Sequence, residues 1–378
     1  MDINILGGAT TKFGELWNVS PRALAREAIS KALVDAGKKP EDIDAIFVGN
    51  MLAGILGYQA NIGSFFGEEL GRFVPAFHIE GACASGGLAL HNAINSILAG
   101  RYKTVLVLGV EKMTDVTQDD VMAGLMAAGS DEERQAGATF PGIYAMMAQS
   151  YLDEYKTTEE ILAGVAVKNH YHGSLNAKAQ FRSVVTIKDV MKSTRIADPL
   201  KLLDCSPVSD GAAAIIVSNE TSKNAVRITA SEIATDTLSL TDRKTFTSLT
   251  AVKTAAQNAY KKAGITAQEI DVAEIHDCFS IAEVIATEDL GFSKKGMGAK
   301  DIYDGKYTLG SKHLVTNPSG GLKACGHPVG ATGIKQIVEI TEQLKGRADT
   351  RQVKGAKTGL THNVGGSGTI AAIHILQI

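Results

Sequence analysis

The apolar side chains follow two patterns along the chain, short continuous runs and stripes with helical spacing. Within Pro21–Ala36 they recur every three or four residues and Gly37 follows, which predicts an amphipathic helix closed by a glycine. Apolar runs at Asp44–Val48 and Thr104–Val110 predict buried strands. Strands and helices that alternate in this order indicate an α/β fold in which helices cover a mostly parallel sheet.

Residues 112–199 interrupt this alternation. They begin as a polar, irregular segment and continue as helical pattern, and the apolar run Ala212–Val217 then returns to the sheet. We therefore predict three parts, which are a first α/β half made of residues 1–111 and 200–222, an inserted loop domain of residues 112–199, and a second α/β half of residues 223–378.

The second half repeats the first. At a constant offset of 227 positions, six residues of a helix, its glycine stop and the next strand meet identical residues, as Ala28, Ala32, Ala36, Gly37, Ile43 and Asp44 meet Ala255, Ala259, Ala263, Gly264, Ile270 and Asp271. Chance matches of single alanines are common, but a gapless run of this kind indicates a duplicated βαβ half-domain.

The two halves carry different chemistry at equivalent turns. Phe77–Ile79 is predicted to finish a buried strand and Gly87–Ala99 to form a helix, so Cys83 lies in the turn between them. In the second half, Val315 leads through a glycine-rich turn containing His327 into a helix over Ile334–Leu344. Both turns follow the carboxyl ends of strands, where α/β sheets place their sites.

Composition excludes several classes of protein. With 44% hydrophobic and 21% charged residues and a net charge of −3, the chain of 378 residues has no electrostatic footprint for nucleic acid or a membrane surface. Its four cysteines form no CxxC pair, which indicates free thiols in a reducing compartment and no metal site. We predict a cytoplasmic protein without a signal peptide or a membrane span.

Cysteine and histidine together indicate acyl transfer. The positive end of a helix dipole favours a thiolate at Cys83, and a histidine such as His327 could accept its proton, which would permit a covalent thioester. His276 and Cys278 follow the predicted strand Val272–Ile275, and this pair suits proton abstraction beside a thioester carbonyl. The residues alone leave open that Cys83 and Cys278 are inert packed thiols and His327 a core histidine.

The inserted segment mixes basic and aromatic side chains between Lys168 and Arg182. Such a mixture suits a ligand with phosphates and a ring, although a solvated mixed surface would look the same. Lys168, His172, Lys178 and Arg182 are the candidate contacts for such a ligand.

Four motifs resemble those of the thiolases, and they cover both halves of the chain. They are Gly81-Ala-Cys-Ala-Ser-Gly-Gly87, His276-Asp-Cys-Phe279, Gly326-His-Pro-Val-Gly-Ala-Thr-Gly333 and Gly365-Gly-Ser-Gly368. The His-Asp-Cys-Phe element is similar to that of the sterol-carrier-protein type and of archaeal acetoacetyl-CoA thiolases.

The resemblance implies a five-layered αβαβα fold whose inserted loop domain holds coenzyme A, and a reversible Claisen condensation. It implies that Cys83 carries the acetyl group, that His327 activates it and that Cys278 exchanges the alpha proton. His276 with His327 would form one oxyanion hole, and the backbone of Cys83 with Val364, Gly365 and Gly366 the other. No permanently bound cofactor is implied, since coenzyme A and acyl-CoA are substrates.

The chain departs from the commoner thiolase pattern in two places. It has His276-Asp-Cys-Phe where those enzymes carry an asparagine-bearing element, and Thr361-His-Asn-Val where they place an acid/base cysteine. The resemblance therefore implies that Cys278 replaces that acid/base cysteine. The sequence assigns no role to His362 or Asn363.

The predicted function is acetyl-CoA C-acetyltransferase, making acetoacetyl-CoA from two acetyl-CoA for mevalonate and isoprenoid synthesis. The alternatives are a degradative 3-oxoacyl-CoA thiolase, a Cys-His-His ketosynthase, and a non-catalytic acyl-CoA-binding protein. The resemblance also implies a homodimer or tetramer, and an assembly with 3-hydroxy-3-methylglutaryl-CoA synthase through a zinc-bearing OB-fold protein.

Overall fold

The computed structural model describes residues 3–221, 225–312 and 314–378. The predicted boundary between the two halves, at residues 222 and 223, lies outside these described residues. Within them, the strands are β1 Ile3–Thr10, β2 Ala45–Gly49, β3 Ala76–Ile79, β4 Thr104–Glu111, β5 Arg195–Ala197, β6 Leu200–Lys201, β7 Gly211–Ser218, β8 Val226–Thr235, β9 Val272–Ile275, β10 Val315–Thr316, β11 Thr358–Gly365 and β12 Ile370–Gln377.

The α-helices of the same described ranges connect these strands and build the inserted lobe. They are α1 Pro21–Ala36, α2 Ala53–Leu56, α3 Ile62–Gly67, α4 Ser85–Leu98, α5 Gln118–Met126, α6 Asp131–Gln135, α7 Phe140–Tyr155, α8 Glu159–Leu162, α9 Gly164–Ser174, α10 Ile187–Lys192, α11 Thr250–Ala263, α12 Ser280–Asp289, α13 Gly298–Tyr303 and α14 Val329–Leu344.

One ten-stranded sheet runs through both halves in the order β10-β9-β11-β12-β8-β1-β7-β4-β2-β3. The order of the first half, β3-β2-β4-β7-β1, is repeated by β10-β9-β11-β12-β8, and an antiparallel pairing of β1 with β8 joins the two. The predicted duplication therefore has a direct structural counterpart, which includes left-handed glycine caps at Gly37 and Gly264.

Helices cover this sheet in layers. Helix α1 packs its stripe around Leu24, Ala28 and Ile29 on one face of the first half. Helices α4 and α14 pack together between the two halves, and α11 covers the outer face of the second half. The succession of helix, sheet, helix pair, sheet and helix confirms the predicted α/β fold with five layers.

Residues 112–199, which are predicted to form an inserted lobe, pack against the second half through helix α7. Ile143, Tyr144 and Met147 of α7 share one apolar core with Ile281 and Ile285 of α12. Because α12 follows the turn that carries His276 and Cys278, the lobe is anchored beside these residues.

The prediction that Phe77–Ile79 finishes a buried strand is wrong. Strand β3 is the edge strand of the first half, and the side chains of Phe77 and His78 are exposed. Phe77 stacks on Phe47 at a ring-centroid distance of 5.0 Å, so its apolar character reflects pairing on the sheet surface. Separately, no helix among the described residues has the length and apolarity needed to cross a bilayer.

Candidate active site

Cys83 lies in a single helical turn, Ala82–Ala84, between β3 and α4. Ala82 has a φ of 52°, in the left-handed region that a residue with a Cβ rarely adopts. The turn is held in this shape because the N–H of Gly81 donates to Ser85 Oγ at 3.0 Å and Ser85 Oγ donates to the Ala82 carbonyl at 2.6 Å. Strained backbone that neighbouring groups over-determine is typical of functional sites.

His327 lies just before α14, in the turn that the duplication relates to the Cys83 turn. Its backbone N–H donates to Ser209 Oγ at 2.9 Å, and its Nδ1 lies 2.7 Å from Thr332 Oγ1. These two contacts fix the backbone and the ring of His327. The orientation of the other ring nitrogen, Nε2, is therefore fixed as well.

His276 and Cys278 follow β9 in a loop whose middle residue, Asp277, is an anchor. The Asp277 carboxylate accepts hydrogen bonds from the N–H of Leu322 at 2.6 Å and from Asn169 Nδ2 at 2.6 Å. A carboxylate with several donors holds a loop more rigidly than a neutral side chain would. Asp277 thus fixes the direction of its two neighbours.

The structure brings Cys83, His276 and His327 together. The Cys83 sulfur and one nitrogen of each imidazole lie within 4.8 Å of one another. The two rings meet edge to face, with centroids 5.0 Å apart and an interplanar angle of 86°. Such a set could also ligate a metal ion, so the absence of a metal site stays a prediction.

A cavity of about 480 Å³ opens onto this cluster. Cys83, Cys278 and His327 lie in its wall together with Gly366, and the rest of the wall is mostly apolar, including Met113, Met122, Leu125, Phe140, Phe181, Ile196, Leu202, Val208 and Val329. The volume and the apolar wall suit an organic ligand with a few polar contacts at one end.

Burial sets the protonation states at the site. It raises the pKa of the Cys83 thiol, against hydrogen bonds from the backbone N–H groups of Gly366 and Cys83. Desolvation therefore opposes the lowering of the Cys83 pKa that the helix terminus is predicted to cause. Burial raises the pKa of Cys278 to about 12, and burial with the charge of Lys335 lowers the pKa of His327 to about 3.

These pKa shifts favour the uncharged forms of the cysteines and histidines of the site. Burial, followed by the neighbouring His327 and His362, holds the pKa of His276 well below its usual range. At neutral pH both sulfurs are thiols and both imidazoles are uncharged. The site can therefore accept a proton at a histidine and donate one from a thiol.

The predicted oxyanion segment, Val364, Gly365 and Gly366, ends β11 beside Cys83. A Cβ at Gly365 would lie 2.3 Å from the Gly81 carbonyl oxygen, so only glycine permits this approach to the Cys83 turn. The Tyr144 hydroxyl donates to the Gly366 carbonyl at 3.1 Å, and the Tyr144 ring stacks on Phe279 with centroids 4.6 Å apart. Tyr144 thereby links this segment to the Cys278 loop.

Two of the candidate ligand contacts lie in the interior. Lys168 is buried and its Nζ lies 2.7 Å from Glu283, so its charge is already compensated. His172 is buried, with Nδ1 3.0 Å from the Asn317 carbonyl oxygen and Nε2 accepting from the N–H of Leu309. Neither side chain reaches the surface, so their assignment to a nucleotide ligand was wrong.

The other two candidates differ in position. Lys178 lines a separate cavity of about 250 Å³ that shares no wall residue with the cavity at Cys83. Arg182 follows Phe181, which does line the cavity at Cys83. Lys178 and Arg182 are both exposed, and of the two only Arg182 directly follows a wall residue of that cavity.

Several residues that shape the site receive no role from the sequence. Thr332 contacts His327, and Asn363, which the sequence left without a role, contacts His276. Asn169, itself bonded to Glu283, holds the loop that carries His276 and Cys278. Thr332 lies within the glycine-rich motif of His327, and this was its one available signal. Asn169 and Glu283 act through packing between distant segments, which no local pattern reports.

Comparisons with known proteins agree with this architecture. Residues 3–221 match the family model described as thiolase, N-terminal domain, and residues 233–378 match the model described as thiolase C-terminal domain-like. The chain therefore belongs to the thiolase family, and it is an acyltransferase enzyme.

Within the thiolase family, the chain is similar to several individual proteins. The chain is 48% identical to an acetyl-CoA acetyltransferase of Methanothermobacter thermautotrophicus, over 100% of this chain and 99% of that protein. It is 35% identical to human sterol carrier protein 2, over 92% of this chain and 66% of that protein. The fold superposes on human mitochondrial 3-ketoacyl-CoA thiolase in complex with CoA with a TM-score of 0.75, at 19% identity and with coverage of 100% and 98%.

Proposed function

We propose that this enzyme is an acetyl-CoA C-acetyltransferase that interconverts two acetyl-CoA with acetoacetyl-CoA and coenzyme A. The observation that carries the proposal is the shared cavity in which Cys83 and His327 face a second cysteine, Cys278. The full-length similarity to an acetyl-CoA acetyltransferase supports it.

The first half of thiolytic cleavage needs a nucleophile and a base. His327 takes the thiol proton of Cys83, and the sulfur attacks the 3-keto carbon of acetoacetyl-CoA. The bond between C2 and C3 then breaks, which leaves an acetyl group on Cys83 and the enolate of acetyl-CoA. A neutral His327 with a free lone pair is suited to this transfer.

The second half uses the other thiol. Cys278 donates its proton to C2 of the enolate and releases the first acetyl-CoA. Coenzyme A then gives its proton to the Cys278 thiolate and attacks the acetyl group, while the imidazolium of His327 returns a proton to Cys83. Condensation reverses these steps, so Cys278 first protonates the departing coenzyme A thiolate and then removes the alpha proton.

Two oxyanions need stabilisation. His276 and the protonated His327 would donate to the enolate oxygen, and the backbone N–H groups of Cys83 and Gly366 would donate to the tetrahedral intermediate on Cys83. Both backbone groups lie beside the Cys83 sulfur, which supports this assignment.

The resemblance carries the proposal further. It supports acetoacetyl-CoA formation for mevalonate synthesis in the cytoplasm, by a homodimer or tetramer. It also supports assembly with 3-hydroxy-3-methylglutaryl-CoA synthase through a zinc-bearing OB-fold protein. Arg182 is the proposed contact for the nucleotide end of coenzyme A.

The ketosynthase alternative shares Cys83, His276 and His327 but needs no carbon base, since decarboxylation forms the enolate. Cys278 is the discriminating residue, because its thiol lines the same cavity as Cys83. A Cys278→Ala variant that condenses malonyl thioesters with undiminished activity would favour the ketosynthase.

The test is thiolytic cleavage of acetoacetyl-CoA by free coenzyme A, followed by loss of enolate absorbance. We expect Cys83→Ala and Cys278→Ala each to lose about 3 kcal/mol or more of transition-state stabilisation, roughly 150-fold in rate. Cys325→Ala is the matched control, since Cys325 is buried and outside the catalytic cavity. A wild type that binds acyl-CoA but cleaves none would favour the non-catalytic reading.

A further inference from the structure

The two histidines of the site make different contacts through the same ring atom. Asn363 Nδ2 lies 3.3 Å from Nδ1 of His276, whereas Thr332 Oγ1 lies 2.7 Å from Nδ1 of His327. A neutral imidazole carries one hydrogen, and the group facing Nδ1 decides whether that hydrogen is on Nδ1 or on Nε2. The orientation of Asn363 and Thr332 therefore decides what each ring presents to the substrate.

The backbone fixes the orientation of the Asn363 amide. Its Oδ1 accepts the backbone N–H of Gly87 at 3.1 Å, and its Nδ2 donates to the backbone carbonyl of Cys83 at 2.9 Å. If the amide were flipped, its NH2 group would face the N–H of Gly87 and its oxygen would face the carbonyl of Cys83. Because Asn363 is buried, water could not replace the two lost hydrogen bonds. The group that faces Nδ1 of His276 is thus an N–H donor.

The Thr332 hydroxyl has the opposite role. Its Oγ1 lies 3.0 Å from the carbonyl oxygen of Pro328, the N-cap residue of α14, and a carbonyl can only accept. A hydroxyl that donates there presents its oxygen as an acceptor toward Nδ1 of His327, and the ring then supplies the hydrogen of that contact. Thr332 is buried, which removes water as a competing partner.

Resting on the proposed function, we infer that Asn363 and Thr332 are positioning residues that hold His276 and His327 in opposite tautomers. His276 carries its hydrogen on Nε2 and presents a donor, while His327 carries its hydrogen on Nδ1 and presents the Nε2 lone pair. One ring is prepared to hold an oxyanion and the other to accept the Cys83 proton.

This division of roles requires that both rings are neutral at rest, before His327 accepts the Cys83 proton. Burial lowers the pKa of each imidazole, and the two rings also repel each other when charged because they are in contact. If both neutral rings were in the same tautomer, their Nε2 atoms would be two donors or two acceptors. The site could then either hold an oxyanion or accept the Cys83 proton, but not both.

The decisive measurement is made on the unmodified wild-type protein. Ring ¹⁵N chemical shifts distinguish a protonated from an unprotonated imidazole nitrogen, and histidine-selective labelling leaves nine residues to resolve. Spectra of His276→Gln and His327→Gln assign the two signals. We expect a protonated Nε2 at His276 and a protonated Nδ1 at His327 near neutral pH. Identical tautomers, or the reverse pair, would overturn the inference whether or not the enzyme cleaves acetoacetyl-CoA.

Kinetics provide the second test, because the two residues act on different steps. Thr332→Val should slow acetyl exchange between acetyl-CoA and coenzyme A about 10-fold in kcat with KM unchanged, since one orienting hydrogen bond is lost. Thr332→Ser, which keeps the hydroxyl, is the matched control and should stay within about 2-fold. Equal losses in both variants would contradict an orienting role.

Asn363→Ala should act on the carbon–carbon step instead. We expect cleavage of acetoacetyl-CoA to fall about 100-fold, as for loss of an oxyanion donor, and acetyl exchange to fall less than about 10-fold. If both reactions fall equally, Asn363 serves only to hold the Cys83 turn and the inference fails for His276.

Discussion

At the scale of single residues, the site works with groups that are neutral at rest. Desolvation raises the pKa values of Cys83, which is partly buried, and of Cys278, which is buried, and it lowers the pKa of His327. Their types and positions after strand ends could be predicted from the sequence. Their protonation states could not, because desolvation depends on the inserted lobe and on α14 closing over the turn.

The lowered pKa of His327 predicts the pH dependence. In the proposed mechanism His327 must be neutral to accept the Cys83 proton, and a folded-state pKa of about 3 keeps it neutral far below the ordinary value of 6.5. We therefore expect His327 to cause no loss of kcat/KM for acetoacetyl-CoA between about pH 8 and pH 5. Glu111 and Asp277 do titrate in this range, because burial raises their pKa values to about 7 and about 6. Initial rates over this range provide the check. A 10-fold fall per pH unit below about 6.5 that persists in Glu111→Gln and Asp277→Asn would show a histidine with an unshifted pKa.

At the scale of elements, helix α9 acts as a brace for the catalytic loop. Lys168 Nζ bonds to Thr316 and pairs with Glu283, and Asn169 bonds to both Glu283 and Asp277. A lysine beside aromatic residues has the same local sequence whether it meets a phosphate or a buried carboxylate. The prediction of a ligand contact at Lys168 fails because its partner, Glu283, lies 115 positions later in the chain.

Replacing Lys168 distinguishes a brace from a ligand contact. Lys168→Met leaves Glu283 buried without its cation, so the free energy of unfolding should fall by about 3 kcal/mol or more. Urea denaturation measures this change. Arg182→Ala is the matched comparison, because an exposed arginine should leave stability within about 0.5 kcal/mol and raise KM for coenzyme A instead. A Lys168→Met protein of unchanged stability with a raised KM would restore the ligand contact.

At the scale of the whole molecule, duplication organises the fold. The identities at an offset of 227 positions mark a repeated helix, cap and strand, and the two halves have the same strand order. This much could be predicted, since hydrophobic spacing and glycine stops are local. The continuous sheet through β1 and β8 could not, because the pairing joins segments more than 200 positions apart and leaves no local pattern.

Glu111 connects the halves beside the site. Its buried carboxylate accepts hydrogen bonds from Asn50 Nδ2 at 2.7 Å, from the N–H groups of Met51 and Leu52, and from the N–H of Gly330 in α14 at 3.1 Å. Glu111 thus ties the ends of β2 and β4 to the helix that follows His327.

Glu111→Gln should weaken this connection. The NH2 group of the glutamine would then face the N–H groups that now donate to a carboxylate oxygen, and these donors would lose their acceptor. This loss should lower the free energy of unfolding by about 3 kcal/mol. The same substitution at the exposed Glu27, whose ion pair with Lys31 is on the surface, should cost less than about 0.5 kcal/mol. Chemical denaturation of the two variants provides the comparison, and equal small losses would show that Glu111 does not join the halves.

The equivalence of the two turns has a consequence for symmetry. Two identical half-chains facing each other would place the same residue at both turns, either two cysteines or two histidines. A nucleophile opposite its base requires the copies to differ, and covalent linkage of both copies in one chain allows this difference. In the proposed reaction one acyl group is held on sulfur while the other becomes a carbanion. The difference between the turns of Cys83 and His327, together with Cys278 after β9, provides this asymmetry in a pseudo-symmetric scaffold.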